Sequence, residues 1–215
     1  MGKDNAALIR QIAEKARRYL DSEERDPRVL QAMLEVDRGH FVPQPGPEVY
    51  DDVPVPIGHQ QTCSQPSMVA FMLDKLQVRP GHKVLEIGAG CGYAAAVAAR
   101  LCGGMGRVYA CEIVPELVAL IRKNVAEFPG NTTVVAGDGS AGFPDQAPFD
   151  RIFLSAGVST DGFEKSVLID QLAEDGVLLY PEALGNLFRH TKETGELKTT
   201  VYYGVSFVPL RGANA

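Results

Sequence analysis

None of the four cysteines, Cys63, Cys91, Cys102 and Cys111, forms a Cys-x-x-Cys pair. A zinc ribbon and a thioredoxin-like redox site are therefore not expected. The histidines, His40, His59, His82 and His190, are scattered. They make no ligand spacing with acids or cysteines, so no metal is expected, and His59 in its loop gets no catalytic role. No Gly-Lys-Ser/Thr is present. That removes a Walker loop. Positive charge is scarce: 21 Lys and Arg stand against 27 Asp and Glu, a net charge of −6. A protein built around nucleic-acid phosphates has the opposite balance, so no nucleic-acid partner is expected. No apolar run is long enough to span a bilayer, and the first residues show no signal-peptide core. Ala6 stands where a myristoylation site needs Ser or Thr after Met1-Gly2. No membrane partner is expected, and a cytoplasmic protein with reduced thiols is the simplest reading. Internal repeats, low-complexity tracts and linkers are also missing. The 215 residues, 45% apolar and 22% charged, read as one α/β domain over residues 1–215.

What is present begins with helical spacing. Leu8, Ile12, Ala16 and Tyr19 mark a helix over residues 5–20. Asp26-Pro27 reads as a cap and a first-turn proline for a helix to residue 35. Residues 41–56 hold five prolines and little periodicity. This predicts an irregular segment of the kind that often carries function. Ser64-Gln65-Pro66 reads as a further helix start, with Met68, Val69, Met72, Leu73 and Leu76 on one face. Strands and helices then alternate. Strands are predicted over 83–87, 107–112, 132–136, 151–154 and 177–180, and helices over 93–101, 115–127 and 163–172. Such alternation gives a parallel sheet covered on both faces. Residues 187–191 and 199–210 flank a polar tip and predict an antiparallel hairpin at the sheet edge.

The chemistry centres on Val84 to Tyr93. An apolar strand breaks into Gly88, Gly90 and Gly92, and an alanine-rich helix follows. Strand, glycine turn and helix bring a ligand against bare backbone at a strand end. A dinucleotide fingerprint places its third glycine where Tyr93 stands, which disfavours nicotinamide and flavin. Glu112 ends the second strand, about 20 residues on, where an acid accepts both hydroxyls of a ribose. Asp138, in Gly137-Asp138-Gly139-Ser140, ends the third strand. An acid there can accept from an exocyclic amine while a glycine N–H donates to a ring nitrogen. Either acid alone also reads as a turn residue or helix cap. Glu86, on the first strand, can orient the turn or meet an ammonium. With no phosphate-binding Lys or Arg nearby, the expected ligand is a nucleoside, and S-adenosylmethionine fits it.

The residues also carry a family resemblance. Phe41-Val42-Pro43, Ile57-Gly58 with Gln61 to Pro66, Val84 to Tyr93, Gly137 to Ser140, Ala147-Pro148-Phe149-Asp150, Asp170-Gln171-Leu172 and Phe207-Val208-Pro209-Leu210 occur in one order. The chain resembles the protein-L-isoaspartate (D-aspartate) O-methyltransferases from about residue 30 onward. The glycine turn is common to many methyltransferases; Thr62-x-Ser64-x-Pro66 and the closing Phe-Val-Pro-Leu are more specific. The resemblance implies a doubly wound, Rossmann-like methyltransferase sheet, mostly parallel, with an antiparallel C-terminal hairpin and N-terminal helices. Residues 1–60 would be helices and a substrate-side loop, and 61–215 the cofactor-binding core. It implies S-adenosyl-L-methionine as cofactor and S-adenosyl-L-homocysteine as product. Glu86, Gly88, Gly90, Gly92, Glu112, Asp138 and Gly139 would bind the cofactor. Thr62 and Ser64 would bind the substrate, and Ser64 is the family's catalytic position. The implied reaction methylates the α-carboxylate of isoaspartate in damaged proteins and peptides, and the ester closes to a succinimide. A monomer is expected.

That chemistry suits the residues. A carboxylate is ionised at neutral pH, so no general base is needed. Displacement at a sulfonium methyl asks chiefly for positioning. A serine hydroxyl can donate to one carboxylate oxygen and leave the other to attack. Ser64 also reads as an N-cap of the helix after it. The chain departs from the family's pattern at Cys63, where Ile or Val is usual, over Pro181 to Leu187, where Pro-Val-Gly and then glutamine are common, and over Val158 to Lys165, which is longer. These departures bear on the acceptor. Alternatives are another carboxylate or peptide acceptor on the same fold, or a noncatalytic adenosyl-binding module.

Overall fold

A computed structural model describes residues 4–19, 26–128 and 130–215, with the side chains of 16–19 set aside. Met1-Gly2, the Ala16 and Tyr19 side chains and the expected helix end at Leu20 lie outside the described residues.

Helix α1, Asn5–Tyr19, turns Leu8 and Ile12 into the core. Helix α2, Pro27–Glu35, starts as expected: the Asp26 carboxylate accepts from the Arg28 N–H at 3.0 Å. Asn5 Nδ2 donates to Met33 O at 3.0 Å and joins α1 to α2. A short helix α3, Arg38–Phe41, and a 3₁₀ turn, Pro47–Tyr50, follow. Strands β1, Val55–Gly58, and β2, Gln61–Cys63, form a two-stranded antiparallel sheet that begins in the last two residues of the segment read as irregular. Its turn residues His59 and Gln60 both have positive φ, 53° and 61°. A two-residue hairpin needs that geometry, but the usual Asn-Gly signal is absent. Helix α4, Pro66–Leu76, has Gln65 at its N-cap position with no cap bond from that side chain. Instead the Asp52 carboxylate accepts from the Ser67 N–H at 2.9 Å. A carboxylate is favoured at a helix N-terminus, so Ser64 is left free of the capping role.

The main sheet is built from β3, Lys83–Ile87, β4, Arg107–Glu112, β5, Thr132–Ala136, β6, Phe149–Leu154, β7, Leu172–Pro181, β8, Leu184–Glu193, and β9, Glu196–Ser206. The spatial order is β5-β4-β3-β6-β7-β8-β9. The first five are parallel, and β8 and β9 add two antiparallel pairs. Helix α5, Tyr93–Cys102, links β3 to β4, and α6, Pro115–Val125, links β4 to β5. Both pack in one core with α1, α2 and α4. Ala95, Ala96, Ala98 and Ala99 are at most 2% exposed, so α5 lies close to its neighbours. An added methylene group there would cost about 1–3 kcal/mol through overpacking. On the opposite face the helix expected over 163–172 is only α7, Ser166–Ile169. Gln171 ends it: its side-chain amide donates to Ala141 O and Val167 O and accepts from Phe143 N–H. Strand β7 starts earlier than predicted because its first part, 173–176, is a polar bulge before the apolar run.

The chain leaves β5 and returns at β6, on the other side of β3. That reversal opens a crevice beyond the carboxyl ends of β3 and β6, where α/β sheets bind ligands. Among the described residues no helix is long and apolar enough to cross a membrane.

Candidate active site

Two adjoining cavities occupy this crevice. The larger encloses about 510 Å³ with its mouth included and is lined in part by Gly88, Gly90, Glu112, Gly137, Gly139 and Ser155. The smaller encloses about 300 Å³, and Ser64, Glu86, Cys63, Cys91, Tyr93 and Ser155 are among its walls. Thr62, Gly88, Gly90 and Ser155 belong to both.

The glycine turn makes the larger cavity possible. Gly90 has φ 58° and Gly92 has φ 85°, in the left-handed region. A side chain at Gly92 would also come within 3.0 Å of Ile121 Cγ2. Glycine satisfies both demands, and Gly92 then caps α5. Glu112 is 5% exposed. Its Oε2 accepts from Gly90 N–H at 2.8 Å, and its Oε1 accepts from the N–H groups of Ile113 and Val114, both at 2.9 Å. Each carboxylate oxygen has two lone pairs, so this brace leaves acceptor capacity facing the cleft.

Asp138 sits differently. Its side chain is exposed and is not part of the cleft wall, although Gly137 and Gly139 are. Its Oδ1 accepts from Ser140 N–H at 2.8 Å, and its Oδ2 from Ala213 N–H at 2.7 Å. Partial burial works to raise its pKa, but these two donors hold the carboxyl below the usual carboxylate range. Val208 to Arg211 cross the cleft as one of its walls. Asn214 fastens this crossing, with its N–H on Ser140 Oγ at 3.0 Å.

Glu86 is fully buried and accepts from Ser155 Oγ on Oε1 at 2.6 Å. Oε2 has no partner. Burial pushes the carboxyl up to about 8, the Ser155 bond opposes this, and nearby Glu112 adds to the rise. A buried carboxyl with an open acceptor position at the glycine turn fits an ammonium, and the glycine cradle fits an unbranched chain beside it.

Sequence reasoning gave no site role to Arg38, Tyr93, Ser155 or the crossing segment, although Phe207 to Leu210 carried part of the family resemblance. Arg38 is completely buried and donates to Val49 O, Val53 O, Cys63 O and Ser64 O. It thereby fixes the backbone that carries Ser64. A charged residue after Asp37 reads as surface, and only the fold reveals its burial. Tyr93 packs edge-on against Phe41 at 5.6 Å, and its buried hydroxyl has no partner. None of Pro181 to Leu187 lines either cavity. Leu187, where the family resemblance would place glutamine, is buried in the core. The departures in that loop therefore do not touch the two cavities.

Residues 3–215 match the family model for Protein-L-isoaspartate(D-aspartate) O-methyltransferase (PCMT). A protein-L-isoaspartate O-methyltransferase of Methanocella arvoryzae is 44% identical over 186 residues, covering 84% of this chain and 96% of that protein. One from Methanothrix thermoacetophila is 41% identical over 205 residues, covering 94% and 93%. Among solved structures, a Plasmodium falciparum protein described as a protein-L-isoaspartate O-methyltransferase, in complex with S-adenosyl-L-homocysteine, superposes with a TM-score of 0.82 at 26% identity. That match covers 97% of this chain and 98% of the other. The carboxyl ends of β3, β4 and β5, the paired cavities and this agreement over nearly the whole length lead to one assignment: the chain belongs to the protein-L-isoaspartate (D-aspartate) O-methyltransferase family.

Proposed function

We propose that Thr62 and Ser64 hold the acceptor carboxylate, with Ser64 the catalytic position, and that Glu86, Gly88, Gly90, Gly92, Glu112, Asp138 and Gly139 hold the cofactor. The enzyme is a protein-L-isoaspartate O-methyltransferase. It transfers a methyl group from S-adenosyl-L-methionine to the α-carboxylate of L-isoaspartyl residues in damaged proteins and peptides. The ester closes to a succinimide and repair begins.

The observation that carries the residue assignment is the shared wall. Thr62 and Ser155 face both cavities, so a donor in one and an acceptor in the other meet at those two side chains. When bound, S-adenosylmethionine supplies an electrophilic methyl group on sulfonium sulfur. The protein's own groups do the rest. Ser64 Oγ–H donates to one oxygen of the acceptor carboxylate, which leaves the other to attack. No base is needed, because the carboxylate is already ionised. Arg38 holds the Ser64 backbone in place through its carbonyl. Glu112 accepts the ribose hydroxyls, and Glu86 takes the ammonium, whose charge favours the ionised carboxylate. Positioning of this kind supplies the larger part of the rate.

Residues 1–215 act in this reading as one cytoplasmic, monomeric methyltransferase domain, with 1–60 on the substrate side and 61–215 as the cofactor core. Its partners are damaged proteins and peptides rather than nucleic acid or membrane. The test is methylation with labelled S-adenosylmethionine. An isoaspartyl peptide should take up label and the matching aspartyl peptide should not. Equal labelling of the two, or labelling of neither, would overturn the reading.

A further inference from the structure

We propose that Cys63 and Cys91 are a thiol pair that a hydroperoxide converts to a disulfide inside the acceptor cavity, switching methyl transfer off reversibly. The two side chains arrive from separate elements. Cys63 ends β2, between Thr62 and Ser64, and Cys91 lies in the glycine turn between Gly90 and Gly92. Both line the smaller cavity, and each is 3% exposed.

Charge singles out one member of the pair. Arg38 is a fully buried cation whose hydrogen bonds all go to backbone carbonyls, and its Nε has no partner. No carboxylate forms an ion pair with it among the described residues. A buried cation favours an anion beside it. Cys63, whose backbone carbonyl accepts from Arg38, is an ionisable group beside it: the Cys91 thiol lowers the Cys63 pKa most, Arg38 adds to this, and against burial the thiol comes to about 7. Cys91 is displaced upward by the same neighbour and by burial. The other two thiols are built-in controls. Burial pushes Cys102 up to about 11 and Cys111 up to about 12, so neither is a thiolate that starts the reaction with a hydroperoxide at neutral pH.

The chemistry balances. The Cys63 thiolate attacks the O–O bond of the hydroperoxide, forming a sulfenic acid and releasing hydroxide or alkoxide. The Cys91 sulfur then attacks the Cys63 sulfur and expels hydroxide, and the Cys91 proton joins it as water. Two thiols are oxidised by two electrons in total, and the hydroperoxide is reduced. The new bond ties the glycine turn to the segment carrying Thr62 and Ser64 and fills part of the acceptor cavity. A thiol reductant reverses it.

The experiment treats the reduced full-length protein with hydrogen peroxide, quenches it, and follows two readouts. The first is the mass of the non-reduced tryptic digest. Cys63 lies in the peptide 39–75 and Cys91 in 84–100. The expected product is these two joined, lighter by two hydrogens, and lost on adding dithiothreitol. This readout does not depend on methyl transfer, so it stands apart from the assigned activity. The second is methylation of an isoaspartyl peptide, expected to fall roughly 100-fold on oxidation and to recover on reduction. Cys63→Val and Cys91→Ser are each compared with their own untreated sample and should keep their activity through the treatment. Absence of the joined peptide overturns the proposal. So does inactivation of either variant to the same degree as wild type. Should one variant fail to fold, the joined peptide in the wild type and the other variant still decide the matter.

Discussion

In the cofactor cleft Glu112 is met on both oxygens by backbone N–H groups, whereas in the adjoining cavity Glu86 keeps Oε2 without a partner. The same contrast extends to other groups. The cleft is framed by the glycine turn and by the braced Glu112, which keeps acceptor capacity on Oε2. The acceptor cavity holds the unpartnered Tyr93 hydroxyl, and behind it Arg38 Nε is also unpaired. A buried polar group without a partner costs about 1–3 kcal/mol. Such groups in a site call for an explanation, and a catalytic role is one of those available. The difference fits the separate jobs proposed for the two halves. In the proposed reading, the cleft and Glu86 hold the cofactor, so their loss shows in affinity, whereas the Thr62–Ser64 wall of the cavity holds the acceptor, so its loss shows in turnover.

The contrast breaks most directly at Glu112. Glu112→Ala strips the brace from Gly90, Ile113 and Val114 as well as the proposed ribose acceptor. Charge-assisted hydrogen bonds of this kind contribute roughly 1.5–3 kcal/mol. The affinity for S-adenosyl-L-homocysteine should fall about 100-fold by calorimetry. Unchanged affinity would mean that the cleft does not depend on this carboxylate. Asp138→Ala sharpens the comparison at the next strand end, beside the cleft. Its carboxylate is exposed and turned toward Ala213, so the loss should be only a few-fold, under about 1 kcal/mol. A loss equal to that of Glu112→Ala would contradict the unequal roles given to the two strand ends.

The third effect is smaller and depends on pH. The Glu86 carboxyl is raised to about 8 in the folded protein, against about 4.3 in an unfolded chain. Between those values the folded state binds the proton and the unfolded state does not. The stability this group contributes is complete below the unfolded value and is lost as pH rises through the folded one. Glutamine at this position is neutral throughout. The Tm of Glu86→Gln relative to wild type, both without cofactor, should therefore climb from about pH 5 to about pH 9. A flat or falling difference would show that Glu86 is not a buried, protonated group.

The cleft half of the site was legible in the sequence because its signals are local. Strand, glycine turn and helix appear in order from Val84 to Leu101, and Glu112 falls at the next strand end. The same locality found strands 83–87, 107–112 and 132–136 to the residue. The cavity half was legible only through the resemblance at Thr62 and Ser64, because its remaining parts come from distant segments. Arg38 reaches Ser64 across 26 positions, and Ser155 reaches Glu86 across 69. No pattern of period 2 or 3.6 records such meetings. The β1–β2 hairpin was hidden for another reason, since His59-Gln60 adopts a turn that its residue types do not announce. The capping of α4 was misassigned to Ser64 because Asp52, which performs it, stands in the proline-rich segment upstream.

The division of labour between cleft and cavity meets its most direct test in Ser64→Ala, measured for turnover on an isoaspartyl peptide and for S-adenosyl-L-homocysteine affinity on the same preparation. The expected result is a kcat lower by roughly 100-fold, the usual scale for one lost donor at a reacting oxygen. The cofactor affinity should change by less than about twofold. Collapse of that affinity, or a kcat equal to wild type, would contradict the place given to Ser64 and with it the separation of the two halves.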